Sequence, residues 1–241
     1  MKSLLIISLF ISSSAFASLR VTIDPGHGGS DNGAVHDSIK ESDIALGISK
    51  KLLTLLKKDK SFKPQILRTK NKDISLESRV HLSHRFDADL FISIHANASP
   101  NKKARGTEFY IQNQLPVDEE NLFLAHHEHQ QQEKTKEVKK SDIQSILFDL
   151  KKSQKVLKSY QLSSYLRKHW PQKKNQMIRQ GPFYVLSQPE IPSVLVEVGY
   201  LSHPKERQNL KASWYQKKVA QRIYNGLKDY AKNQQVLPKK Q

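Results

Sequence analysis

The sequence predicts an α/β fold: a single domain with a mostly parallel (mixed) central sheet covered by helices on both faces, plus a helical insertion. Three observations carry this. Apolar runs and helical periodicities alternate from Leu19 onward. The run over residues 89–94 has no polar alternation and reads as a strand buried on both faces. A length of 241 residues suits one sizeable core and cramps a second.

In chain order, residues 19–24 form the first strand. Ile44, Ile48, Leu52, Leu55 and Leu56 then recur at helical spacing, and Lys57-Lys58 closes that helix where cations are favoured. Short strands follow at 65–68 and 107–111, with a helix over 75–86 and the buried strand 89–94 between them. Over 115–181 the strand-like runs give way to lysine, glutamine, serine and glutamate, which predicts a helical insertion. Ser141 to Gln144 offers a capping box, and Ile143, Ile146, Leu147, Leu150 and Leu157 form a stripe that must pack on something. Strands return at 183–186 and 193–198, and a last amphipathic helix carries Trp214, Ile223, Leu227 and Tyr230. The polar stretch 233–241, with Pro238, reads as a frayed tail.

The first 17 residues read as a cleaved secretory signal peptide: Lys2, the apolar run 4–11, then Ala15-Phe16-Ala17 as a small-x-small site. The apolar run is shorter than a membrane span requires. With no twin arginine before it and no cysteine for lipid attachment, the expected product is exported and soluble, without a stable membrane anchor; a monomer is expected. The domain then spans 18–232. The absence of cysteine removes disulfides and thiolate ligands, so any metal must be held by histidine and carboxylate. A net charge of +17 draws the chain to polyanions. The lysines lack the interleaved aromatics of a nucleic-acid platform, so anionic envelope polymers or membrane surfaces fit better than nucleic acid.

The most informative stretch is TIDPGHGG, residues 22–29, where a strand runs into a glycine-rich turn displaying His27. Its partners are Glu41 at the start of a helical pattern, His95 at the end of LFISIH, and Glu197 in SVLVEVGY. In parallel sheets ligands gather beyond the carboxyl ends of the strands, and His27, His95 and Glu197 fall there. Two histidines and a glutamate around an open position are the ligand set of a catalytic zinc, with a further polar group beside the bound water as general base. Each residue alone has a plainer reading: a satisfied turn histidine, a helix-terminal carboxylate. Glu197 resists one, because a carboxylate buried among Val194, Leu195, Val196 and Val198 needs a partner.

These motifs, IDPGHGGSDNGA, KESDI, TKNKDISLESR, ADLFISIHANAS, RGTEFY and PSVLVEVGYLSHPKE, follow the order and spacing of the zinc-dependent N-acetylmuramoyl-L-alanine amidases of amidase type 3, which the chain resembles over nearly all of its mature length. The resemblance implies hydrolysis of the amide between N-acetylmuramic acid and L-alanine in peptidoglycan, with one Zn2+ held by His27, Glu41 and His95 and with Glu197 as the catalytic glutamate. It also implies a role in wall remodelling or daughter-cell separation, in the periplasm or cell wall. Departures from the family pattern are Lys70 for arginine, Ser83-His84 for Ala-Asn, and His203 for asparagine. The insertion segment LAHHEHQQQ is similar to the inhibitory helix of the cell-division amidases, which makes Glu128 a candidate inhibitory metal ligand and the insertion a candidate surface for a protein activator. Competing readings are a zinc peptidase of the stem peptide, a non-catalytic wall-binding protein, and a nucleic-acid-binding module.

Overall fold

The computed structural model describes residues 18–112, 142–171 and 178–236. In chain order they form β1 (Leu19–Pro25), β2 (Val35–His36), β3 (Ile39–Lys40), α1 (Glu41–Lys57), β4 (Phe62–Ile66), α2 (Leu76–Arg85), β5 (Leu90–Asn97) and β6 (Glu108–Gln112). After the 113–141 interval come α3 (Asp142–Lys168), β7 (Ile178–Gly181), α4 (Tyr184–Ser187), β8 (Ser193–Tyr200), α5 (Pro204–Lys211) and α6 (Ser213–Val236). The central sheet has the order β4-β1-β5-β8-β6-β7. β4, β1, β5 and β8 are parallel neighbours. β6 runs antiparallel to β8 and parallel to β7, so the sheet is mixed at one end.

Because side chains alternate across a strand, each central strand serves two environments. Val21, Ile23, Ile92, Ile94, Val194 and Val196 enter one large core with Ile48 and Leu52 of α1, Leu162 and Leu166 of α3, and Ile223 and Leu227 of α6. On the other face Phe91, Tyr110 and Leu195 pack with Phe183, Val185 and Leu186 around α4, and with Leu76 and Leu82 of α2. Helices therefore cover both faces. The second face turns polar toward the carboxyl ends of the parallel strands, where Asp24, Ser93, His95, Asn97 and Glu197 are all buried.

Several local expectations are corrected. Residues 184–187 make one helical turn, α4, and the nearby strand is β7, because a four-residue apolar run fits a buried turn as well as a strand. The strand expected at 65–68 is β4 at 62–66; it sits on the sheet edge, where Pro64 needs no ladder N–H. The proposed stripe on α3 does not face the core at Leu150 and Leu157, which are 61% and 58% exposed. The buried side is instead Lys155, Val156, Ser159, Leu162, Ser163 and Leu166. Serine hydroxyls let this helix approach closely: Ser159 accepts from Ser193 N at 3.0 Å, at the start of β8. Lys155 donates to the last carbonyls of α4, Leu186 O at 2.6 Å and Ser187 O at 3.2 Å, a favourable place for a cation. Trp214 is exposed, whereas Ile223, Leu227 and Tyr230 are buried as expected. α6 continues to Val236, past Asn233. The side chains of Ile143, Ile146 and Leu147, the capping box at Ser141, Glu128 and the signal segment lie outside the described residues.

Candidate metal centre and catalytic site

The turn after β1 is built for close approach. His27 has φ of 55°, a left-handed conformation unusual for a residue with a side chain. Two buried arginines hold it there. Arg79 donates to Pro25 O and His27 O, each at 2.8 Å, and pairs with the buried Asp24 carboxylate. Arg68 donates to Pro25 O at 3.0 Å, Gly26 O at 2.7 Å and Ser42 O at 2.8 Å. Burial, with Arg79 beside it, lowers the Arg68 pKa to about 10, which leaves it cationic at neutral pH. A Cβ on Gly26 would stand 2.4 Å from the His95 ring, so only glycine lets the two histidines meet. Their ring centroids are 4.9 Å apart in an edge-on arrangement.

Glu41 arrives by a separate route. The hairpin β2–β3 turns on Asp37 and Ser38, both with positive φ as a type I′ turn requires, and delivers the chain to the first residue of α1. No side chain caps α1; Glu41 N and Ser42 N donate instead to Ala34 O and Asn32 O of the histidine-bearing loop. The helix thus begins docked on the turn it serves. Backbone amides aim the carboxylate: Ala34 N reaches Oε2 and Ala96 N reaches Oε1, both at 2.9 Å. A Cβ on Gly33 would lie 2.7 Å from Oε2.

The structure brings His27, Glu41 and His95 into one buried group whose ligand atoms lie within 4.8 Å of one another. His27 Nε2 is 3.3 Å and His95 Nδ1 is 3.0 Å from Glu41 Oε1. A tetrahedral ion with bonds of about 2.0–2.2 Å requires donor separations of about 3.4 Å, so two imidazole nitrogens and a carboxylate oxygen at this spacing fit a zinc-type centre. Asp31 is 2.7 Å from His27 Nδ1, which orients the ring and leaves Nε2 pointing at the group.

Glu197 is 1% exposed and pairs in register with His95 across β5 and β8. It lies beside the three-residue group, on the same sheet face. Sequence reasoning did not single out Arg68, Arg79 or Glu108. Glu108, in β6, is in register with Glu197 and is ion-paired with Arg179 at 3.2 Å. Its signals were a glutamate inside an apolar strand and its place in the RGTEFY motif. Of the residues that depart from the family pattern, Ser83 is buried against Thr22 Oγ1 at 3.1 Å, and His203 caps α5 by accepting from Glu206 N at 3.3 Å. Both do structural work that small or amide side chains also do.

A family model described as N-acetylmuramoyl-L-alanine amidase matches residues 21–229. N-acetylmuramoyl-L-alanine amidase AmiA of Salmonella typhimurium is 34% identical over 218 residues, covering 87% of this chain and 75% of that protein. AmiA of Escherichia coli is 33% identical over the same length, with the same coverage. Among solved structures, the catalytic domain of CwlV from Bacillus (Paenibacillus) polymyxa var. colistinus superposes with a TM-score of 0.64 at 28% identity, covering 88% of this chain and 97% of that one. AmiC2 of Nostoc punctiforme gives 0.65 at 26%, covering 90% and 99%.

Proposed function

We propose, for a chain that belongs to the N-acetylmuramoyl-L-alanine amidase family, that His27, Glu41 and His95 hold one zinc ion and that Glu197 is the general base. The enzyme is a peptidoglycan amidase, cutting the amide between N-acetylmuramic acid and L-alanine. The observation that carries the metal assignment is the convergence of His27 Nε2 and His95 Nδ1 on one oxygen of a buried carboxylate. When bound, zinc supplies Lewis acidity toward the lactyl carbonyl and lowers the pKa of water toward neutrality. Glu197 takes the proton of the attacking water as its oxygen bonds to the carbonyl carbon. As the C–N bond breaks, Glu197 returns that proton to the departing nitrogen of L-alanine. Asp31 holds the His27 ring, and the Ala34 and Ala96 amides hold Glu41, so the donors are ordered before substrate arrives.

Glu197→Ala is expected to keep its metal and lose turnover on purified muropeptides by about 10²–10⁴-fold, the usual span for a general base. Mass analysis of the parent's products should find intact stem peptides beginning with L-alanine. Full activity of Glu197→Ala would remove the base assignment, and release of single amino acids would favour the stem-peptide peptidase.

The reading extends to regulation and location. Glu128, in an insertion similar to the inhibitory helix of the cell-division amidases, covers the metal at rest, and a protein activator acting on the insertion uncovers it during daughter-cell separation. Deleting residues 115–140 is expected to raise basal activity; lower or unchanged activity with intact metal would count against it. The site of action is the periplasm or cell wall, with cleavage after Ala17, which N-terminal sequencing of the exported protein checks.

A further inference from the structure

Beside the metal group, the edge of the sheet carries a second buried polar assembly centred on Glu108. This residue is 5% exposed and stands directly opposite Glu197 in the antiparallel β6–β8 pair. Directly opposed residues share a face with Cβ atoms about 4.5–5.5 Å apart, and like charges so placed repel. Two buried glutamates side by side therefore need compensation, and Glu108 has it. Arg179 Nη2 of β7 lies 3.2 Å from Oε1. Tyr110 OH of β6 donates to Oε2 at 2.9 Å, and Asn97 Nδ2 of β5 at 3.3 Å.

β8 faces Glu108 as well. Between His95↔Glu197 and Asn97↔Tyr200 the register slips by one residue, a bulge that spans Val198 and Gly199. Bulges re-aim side chains, and past this one Tyr200 stands near enough to Glu108 for the carboxylate to act on its phenol. Burial, then Glu108, then Glu197 push the Tyr110 and Tyr200 phenols far above their ordinary range, so both remain donors at any working pH. Glu108 thus meets both strands of the site, β5 through Asn97, two residues after His95, and β8 opposite Glu197.

We propose that Glu108 is a positioning residue for amide hydrolysis: by binding Asn97 at the end of β5 and standing opposite Glu197 on β8, it fixes the Glu197 carboxylate relative to His95. The inference rests on the assignment of Glu197 as base but concerns a residue outside the metal group. Glu108 is not one of the three residues of the metal group, and its removal acts through geometry. A general base displaced by about 1 Å loses on the order of 10²-fold in rate, while binding of the distant parts of the substrate is unaffected.

The test is steady-state hydrolysis of a soluble muropeptide by the full chain carrying Glu108→Gln, with metal content and melting temperature measured on the same preparation. Glutamine keeps the shape and can still accept from Tyr110, but it cannot match Arg179. The expected result is a kcat lower by about 10–100-fold, with KM within about twofold of the parent and metal per chain unchanged. Tyr110→Phe, which removes one donor to Glu108 at nearly unchanged volume, is expected to lower kcat several-fold in the same way, and it serves as the deciding variant if Glu108→Gln does not fold. A folded Glu108→Gln or, failing that, Tyr110→Phe with the parent's kcat overturns the proposal. A loss of metal, or a rise in KM alone, overturns it equally. The parent's products and the Glu197→Ala rate report on the base assignment separately, because the positioning role is read from the ratio of variant to parent.

Discussion

The two faces of the central sheet are made by the same strands and obey opposite rules. On one, Val21, Ile23, Ile92, Ile94, Val194 and Val196 meet the helices α1, α3 and α6 with hydrocarbon alone. On the other, Asp24, Ser93, His95, Asn97 and Glu197 are equally buried but polar, and each polar group needs a partner. Hydrocarbon contacts are non-directional, so the first face tolerates exchange of shape at modest cost. Charged hydrogen bonds are directional, and a buried group that loses its partner keeps the whole desolvation cost. The first face supplies cohesion and the second supplies position.

The most damaging way to break this contrast is Arg79→Met. It removes the partner of Asp24 and two of the donors that hold the Pro25–His27 backbone, leaving a buried charge uncompensated. The expected loss is about 3–5 kcal/mol of unfolding free energy in denaturant titration, together with weaker metal binding. Ile92→Ala on the hydrocarbon face is expected to cost about 2–5 kcal/mol, yet the protein that remains folded should show the parent's kcat and metal content. If Ile92→Ala lowered kcat tenfold in folded protein, the division of labour between the faces would be wrong.

Much of this architecture was legible in the sequence, for physical reasons that also mark the gaps. β1, β5 and β8 are buried on both faces, so their apolar runs are long. α2 begins where a side-chain cap requires it, Ser75 accepting from Ser78 N at 3.1 Å. His27, Glu41 and His95 could be recognised because a strand-to-glycine turn, a helix start and a strand end are places where side chains converge. What was not legible depends on contacts distant in sequence. No local pattern marks Arg68 and Arg79 as buried among the 40 lysines and arginines of this basic chain, although Arg79 closes the TKNKDISLESR motif. Glu108 gains its meaning from partners on three strands and from its place opposite Glu197. The buried side of α3 consists of serine and lysine as much as leucine, which hides it from any hydrophobic stripe.

Smaller effects sharpen the comparison. Asp31→Asn keeps the hydrogen bond to His27 Nδ1 but removes its charge. Asp31 is 55% exposed, so the expected weakening of zinc affinity lies near the lower end of the usual range for such support, about tenfold, measurable by competition with a chromogenic chelator. Unchanged affinity would mean that the ring is held by packing alone.

The smallest effect concerns Lys155, whose pKa burial lowers to about 8. An unfolded lysine titrates near about 10.4, so the folded protein gives up this proton first. Stability from this group is therefore flat below about pH 8 and rises with pH between about 8 and 10.4. The unfolding free energy of the parent relative to Lys155→Met should shift in the parent's favour as pH is raised from 7 to 10. A constant difference would show that the ammonium is not desolvated where it meets the α4 carbonyls.

The central claim, that an ordered His–Glu–His group on the polar face holds the catalytic metal, is tested most directly by metal stoichiometry of the purified parent and its Glu41→Ala variant, by plasma mass spectrometry after dialysis. The account predicts one zinc per chain in the parent and a loss of zinc in folded Glu41→Ala. Retention of stoichiometric zinc by folded Glu41→Ala, or an active parent that carries none, would contradict it.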